Sequence, residues 1–561
     1  MMGRTRHLAP ALTGLGLGSL ALGPGLAPGF LLSYDMVFVP DPALNAMAFG
    51  LTGTVPRHVP SDAAVAALAL VLPGWLVQRV LLLAVFVLAC AAAASLVPSR
   101  RTVPRLVAGV CYAWNPFVAE RLLLGQWALL LGYAALPWVL YAAAVKAGER
   151  GGWRWLPGVM LPAAIGGFAA LAVSGLAGFM AGRGRGRVVV AGVFAVLSLP
   201  WLVPGLLRPG GVPGDGAGVE AFAARADTPF GTLGSLLLLG GVWNGETVPA
   251  GYGTPVTAAL WGLVVLGALF AYGRYRERIA PWWRGAAWAA GVGYAVAALG
   301  AVLPPVLETA IRLWPGFAVL RDGQQFAAPL AVVVAVGLGL AADRAIEARY
   351  APVALGALLA PVVLLPALAW GAAGQLRPVD YPADWARAKR IIEADPEPGD
   401  VLVLPWAAYR AYPWNHGRRV LDPLPRYLPR RVVVNDAVTV GGTTLAPEDP
   451  RAVRLDGAIR SGGPLTGVLR DAGVRYVAVD AADPEAGPDR LPGAERLVQG
   501  ADLVLYRIAG TAATPERNAP VLAVIAAWIV ASVPLIWSMI SAMATLGTRL
   551  LGSTTPRRRA P

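Results

Sequence analysis

The sequence predicts a mainly α, polytopic transmembrane helical bundle of about 10–13 spans, with an extracytoplasmic α/β domain before the last helix. Three observations carry that expectation. Hydrophobic residues fill 56% of the 561 positions and charged residues only 14%, far from the balance of a soluble globular domain. The apolar residues come in blocks of about 17 to 25, the length a helix needs to cross a hydrocarbon core of roughly 30 Å. Between positions 374 and 518 the pattern changes, as charges return and short β-rich runs alternate with helical ones.

Mean hydropathy is +0.58, and the short alternating segments of a transmembrane β-barrel are missing. Spans are expected near 10–33, 79–98, 104–118, 127–145, 188–207, 256–272, 285–303, 325–342, 352–373 and 519–546. The net charge of +14 suits a nucleic-acid partner poorly, because the Arg residues gather in short runs between apolar blocks, where they orient a membrane protein. These runs are Arg4 with Arg6, Arg100-Arg101 with Arg105, Lys146 with Arg150 and Arg154, Arg183-Arg185-Arg187, Arg274-Arg276-Arg278, Arg344 with Arg349, and Arg557-Arg558-Arg559. The positive-inside rule assigns them to the cytoplasm together with both termini. Stretch 155–182 must then leave and return, as two short helices or a re-entrant hairpin turning near Ser174-Gly175.

Four parts follow. Residues 1–373 form the membrane domain with external loops 34–78, 208–255 and 304–324, and residues 374–518 form the extracytoplasmic α/β domain. Residues 519–546 return the chain to the cytoplasm, and 547–561 are a basic tail. In the α/β part, 401–405, 431–434, 474–480 and 502–508 read as strands buried on both faces, with helical periodicity over 383–394 and 463–473. Cys90 and Cys111 lie in apolar blocks and suggest neither a disulfide framework nor a zinc site. His7, His58 and His416 are too far apart in sequence to suggest a histidine metal site. No repeat of solenoid type is present.

Charges are scarce near the membrane, so those that occur are functional candidates. Asp35 and Asp41 flank the first loop, "LLSYDMVFVPD" (31–41). Glu120 and Arg121 sit between apolar spans with Gln126 close behind. Arg321 and Asp322 are followed by Gln324 and Gln325. In the α/β domain, "LPWAAYRAYPWNHGRR" (404–419) places Trp406, Tyr409, Arg410 and Trp414 after a strand, at the end where open sheets usually hold ligands. Aromatic faces there suit a sugar, although an aromatic loop packed on the membrane surface has the same composition.

Three stretches carry a family resemblance. The acid opening the first external loop, "AWNPFVAERLLLGQWALLLGYAALPW" (113–138) and "LWPGFAVLRDGQQF" (313–326) resemble the glycosyltransferase C superfamily and the related actinobacterial, YfhO-like membrane proteins. The resemblance implies an integral-membrane glycosyltransferase of the cell envelope. Such an enzyme takes sugar from a polyprenyl-phosphate donor and passes it to an extracytoplasmic glycan or lipid. It implies Asp35 as catalytic base, with Asp41 second, although the paired acids of some families in the superfamily are missing from this loop. Lipid phosphate leaving with negative charge calls for guanidinium groups, for which Arg121 and Arg321 are the candidates. Glu120, Gln126, Asp322, Gln324, Trp406, Tyr409, Arg410 and Trp414 are the candidate substrate contacts.

A cofactor is not indicated by any motif. A divalent cation held by carboxylates is open, with Asp215, Glu220, Asp227 and Glu246 available in loop 208–255. Two other function classes compete: a transporter of lipid-linked sugars, which lacks the paired halves expected of it, and a non-catalytic envelope scaffold. Heavy use of Gly, Ala and Arg points to a GC-rich, actinobacterial type of genome.

Overall fold

The structure, a computed structural model, describes residues 2–147, 149, 151–208, 216, 218–440, 442–482, 488–511 and 520–552. Asp215, Arg150 and the tail beyond 552 lie outside the described residues. Among the described residues, seven helices are long and apolar enough to cross a membrane. They are Gly74–Leu96, Trp127–Lys146, Arg185–Leu207, Pro255–Arg274, Trp283–Val302, Gly323–Glu347 and Val521–Met543. Ala351–Leu364 and Pro366–Gly374 meet at 58° and make an eighth if the bent pair is one span; Pro366 cannot continue the first helix's hydrogen bonds. The protein is a multi-pass membrane protein.

Two expected spans take other forms. The segment expected over 104–118 is a 12-residue helix, Thr102–Ala113, stopped by Asn115 and Pro116. The first helix runs Met2–Leu22 and is not among the seven. Stretch 155–182 is two helices, Trp155–Ile165 and Gly167–Ala181. Their break falls at Gly166-Gly167 and not at Ser174-Gly175, which are buried inside the second helix. Gly167 has φ +75°, and a Cβ there would meet the Val59 carbonyl at 2.9 Å. Only glycine supplies that turn cheaply.

Gly323–Glu347 is the central helix, with 89% of its apolar window buried against 22% for Val521–Met543. Small residues let neighbours approach it, since a Cβ at Gly337 would collide with the Ala268 carbonyl. Its last turns carry Asp343, 4% exposed, which accepts from Ser99 at 2.7 Å, Arg101 at 3.2 Å and Arg278 at 2.8 Å. A carboxylate at that depth is retained because three donors face it.

At the opposite end stands the strand-bearing domain. Its five-stranded sheet pairs Asp400–Leu404 in parallel with Val432–Val433 and with Val474–Asp480; Leu503–Arg507 and Glu495–Gln499 extend it antiparallel. All four expected strands lie in this sheet, and Glu495–Gln499 is an edge strand whose charged sequence hid it. Ala383–Ala394 and Thr466–Asp471 are helical as expected. Trp385, fully buried, is ringed by Tyr381, Tyr412, Trp414 and Tyr427 with centroids 5.5–5.6 Å away.

A buried ion pair closes the hairpin Tyr409–Ala411/Arg419–Leu421, and Arg410 ties it to the sheet by donating to the Leu404 carbonyl at 2.8 Å. Arg410 Nε lies 3.1 Å from Asp422 Oδ2 with the side chains 3% and 1% exposed. Asp422 also accepts from the Leu424 amide at 2.9 Å. Removing one partner strands the other charge, so Asp422→Ala is expected to destabilise the domain by roughly 3–5 kcal/mol. A melting curve of the purified protein followed by tryptophan fluorescence checks it.

Candidate functional site

The first loop is fixed from three sides. Gln78, at the start of helix Gly74–Leu96, brackets the Leu31 backbone, accepting its amide at 3.0 Å and donating to its carbonyl at 2.7 Å. Arg79 donates to the carbonyls of Ala27 and Gly29 at 3.0 and 2.9 Å. Phe30–Leu31 pairs antiparallel with Pro378–Val379, the chain that leads into the α/β domain. Tyr34 then joins the hairpin edge, its amide donating to the Arg419 carbonyl at 2.7 Å and its carbonyl accepting the Leu421 amide at 2.8 Å.

Tyr34 pays for this position with φ +45°, a left-handed conformation costly for a side-chain-bearing residue. The next residue, Asp35, is thereby aimed at the α/β domain. Its amide bonds the Leu124 carbonyl at 3.1 Å, and its Oδ1 accepts the Tyr409 hydroxyl at 2.6 Å. Burial pushes the Asp35 carboxyl above the usual range. The Tyr409 hydrogen bond opposes this, the nearby Asp322 charge adds to it, and Arg426 and Arg57 oppose it.

The second element is Pro116–Leu123, a short helix capped by Asn115, whose side chain accepts the Val118 amide. Arg121, 1% exposed, lies over the Phe117 ring at 5.3 Å and donates to Gln126 Oε1 at 3.3 Å. Gln126 in turn donates to Asp322 Oδ2 at 3.3 Å, and Gln325 also bonds that carboxylate. Arg121 Nη1 lies 3.9 Å from Asp322 Oδ1. Asp35, Tyr409, Arg121, Gln126 and Asp322 therefore share one electrostatic neighbourhood.

The remaining candidates have partners of their own. Glu120 turns toward Asp227, with which it shares a hydrogen bond; burial and that second carboxyl hold it well above the ordinary range. Arg321 faces Glu448 at 3.9 Å and the Phe222 ring at 6.0 Å, and Arg57 also bonds Glu448. Gln324 donates to the Phe222 carbonyl at 2.7 Å. Asp41 is 85% exposed beside Lys389 and away from Asp35's partners. Trp406 donates to Asp456 at 3.0 Å, Arg410 is spent on Asp422 and two carbonyls, and Trp414 stacks on Tyr412 at 4.9 Å. Of the aromatic stretch, Tyr409 is the residue that reaches the first loop's acid.

Residues that sequence reading did not single out complete the neighbourhood: Arg57, Arg426 and Glu448; Tyr34, equally unmarked, turns its hydroxyl away to Glu246. Nothing local marks them, because they meet only through pairing between segments hundreds of positions apart. Glu246 is committed to Tyr34, and Asp227 to Glu120 and the Gly241 amide. Among the described residues no group of three His, Cys, Asp or Glu could hold a metal ion.

Gly125, φ +80°, sits under the loop, where a Cβ would collide with the Met36 amide and the Ser33 carbonyl. Gly125→Ala is expected to cost on the order of 1–3 kcal/mol through left-handed strain alone and to lower the melting temperature of the inserted protein; an unchanged melt would mean the loop does not rest there.

No protein-family model matches the chain, and no curated protein matches it by sequence. Solved structures do. Arabinofuranosyltransferase AftD from Mycobacteria superposes with a TM-score of 0.52 at 17% identity, over 90% of this chain and 40% of that one. A mutant of the same enzyme, in its second class, gives 0.54 at 16% identity over 90% and 41%. The chain thus spans about two fifths of the AftD chain's length. The likeness is one of fold: a polytopic helical bundle with a strand-bearing domain before its last helix, as composition and pattern led us to expect.

Proposed function

We propose that the chain is an integral-membrane glycosyltransferase that moves a sugar from a polyprenyl-phosphate donor to an extracytoplasmic glycan or lipid, with Asp35 as general base. The observation that carries this reading is the Asp35–Tyr409 hydrogen bond of 2.6 Å, which aims a carboxylate from the membrane domain at the junction with the α/β domain. In the reaction Asp35 takes the proton of an acceptor hydroxyl. The oxygen forms its bond to the anomeric carbon as the carbon–oxygen bond to the lipid phosphate breaks, and the phosphate leaves as an anion. Arg321 and Arg57 lie on the Glu448 side, where guanidinium groups can meet that charge. Arg121 is buried behind Asp322 and acts through it. The positive-inside rule puts this end of the bundle outside the cytoplasm.

Asp35→Asn is expected to lower transfer from a polyprenyl-phosphate sugar by about 10²- to 10⁴-fold while abundance and melting stay unchanged; full transfer by the variant sinks the reading. The rate is expected to fall as pH drops through the Asp35 pKa, at a value above the ordinary carboxylate range. Tyr409→Phe removes a bond that favours the ionised form, so the inflection moves up. Asp322→Asn removes a like charge, so it moves down. Rate–pH profiles of the three proteins read those opposite shifts.

A further inference from the structure

On the other flank of the first loop lies a basin of about 520 Å³ to which the transfer chemistry assigns no role. Leu32 and Tyr34 form its wall toward the first loop, Gly374, Gln375 and Arg377 the wall toward the bent helix pair, and the turn from Asn415 to Arg419 the wall toward the α/β domain. None of Asp35, Arg121, Asp322 and Arg321 lines it. The strained Tyr34 backbone divides the two spaces, sending Asp35 to Tyr409 and the Tyr34 ring into the basin.

The lining is strongly basic. Arg377, Arg418 and Arg419 contribute three guanidinium groups and His416 an imidazole, while Glu246 is the single acid and already accepts the Tyr34 hydroxyl. Arg418 is a built feature and not a loose surface arginine. Its Nε donates to Ser33 Oγ at 2.7 Å, Nη1 to Gln375 Oε1 at 3.0 Å and Nη2 to the Leu123 carbonyl at 3.2 Å, and it lies over the Tyr34 ring at 5.8 Å. All three acceptors are neutral, so the guanidinium is oriented without being neutralised. Arg377 Nε donates to the Gly374 carbonyl at 2.8 Å, which directs that side chain as well. Among the described residues, Arg377, Arg418 and Arg419 make no ion pair.

An excess of fixed guanidinium charge around a space this size calls for an anion, and planar forks of donors match phosphate oxygens in pairs. We propose that this basin binds a phosphate ester, held by Arg377, Arg418 and Arg419, at a site separate from that of sugar transfer. The phosphate can be carried by a lipid, which would arrive beside the bent helix pair where Trp370 is 63% exposed, or by a soluble glycan. The inference does not depend on Asp35 being a base.

The test uses the full chain in maltoside micelles, which contain no phosphate, titrated calorimetrically with a polyprenyl monophosphate and, separately, with a soluble sugar phosphate. Arg377 and Arg419 are exposed, so the double variant Arg377→Gln, Arg419→Gln is expected to melt as the native protein does and to bind phosphate at least tenfold more weakly, the loss of a charge-assisted pair being worth about that factor or more. Tighter binding of the polyprenyl phosphate than of the sugar phosphate identifies the lipid source, and equal or weaker binding the glycan source. Asp35→Asn is expected to keep native phosphate affinity, so loss of transfer and loss of phosphate binding are separable results. Native affinity in the double variant, or no binding of either probe, overturns the proposal.

Discussion

The seam between the first loop and the hairpin of the α/β domain is the constraint on which the site depends. Tyr34 trades two backbone hydrogen bonds with Arg419 and Leu421, and Phe30–Leu31 pairs with Pro378–Val379. Backbone pairing leaves little freedom of register, because a slip by one residue would turn every side chain to the other face. The left-handed turn at Tyr34 then sends Asp35 to Tyr409 and the Tyr34 hydroxyl to Glu246. One side holds Tyr409 and the Asp322 neighbourhood, the other the basic basin.

The membrane helices supply the rigid half of that seam. Gln78 and Arg79 sit at the start of helix Gly74–Leu96 and hold the loop by its backbone, which explains two buried polar residues at the head of an apolar span. Gly125 completes the floor, since any side chain there would lift the loop. The α/β domain supplies the other half, with Arg410 and Asp422 fixing the hairpin that presents Tyr409. A carboxylate placed this way is desolvated, and the groups around it set its proton affinity in opposing directions.

Much of the fold was legible because it follows from composition and period. Apolar blocks of spanning length announce helices, and the Val-rich runs at 401–405 and 474–480 announce central strands. The turn near 166 was less legible, since Ser174-Gly175 and Gly166-Gly167 offer the same kind of small residue. The Val59 carbonyl, brought against Gly167 from a distant loop, decides between them. The edge strand Glu495–Gln499 was hidden because one exposed face and two charges erase the hydrophobic signal.

For the candidate site, the sequence by itself determined which ionisable groups are scarce enough to matter: Asp35, Glu120, Arg121, Arg321 and Asp322 stand out against an apolar background. Only the tertiary structure decided which of them meet. It joined Asp35 to Tyr409, 374 positions away, and Arg121 to Asp322, while it turned Glu120 toward Asp227 and left Asp41 in solvent. Charge and hydropathy are properties of single residues and short runs, and so they can be read along a chain. Which donor faces which acceptor depends on strand register and helix approach between distant segments, and no local pattern encodes that.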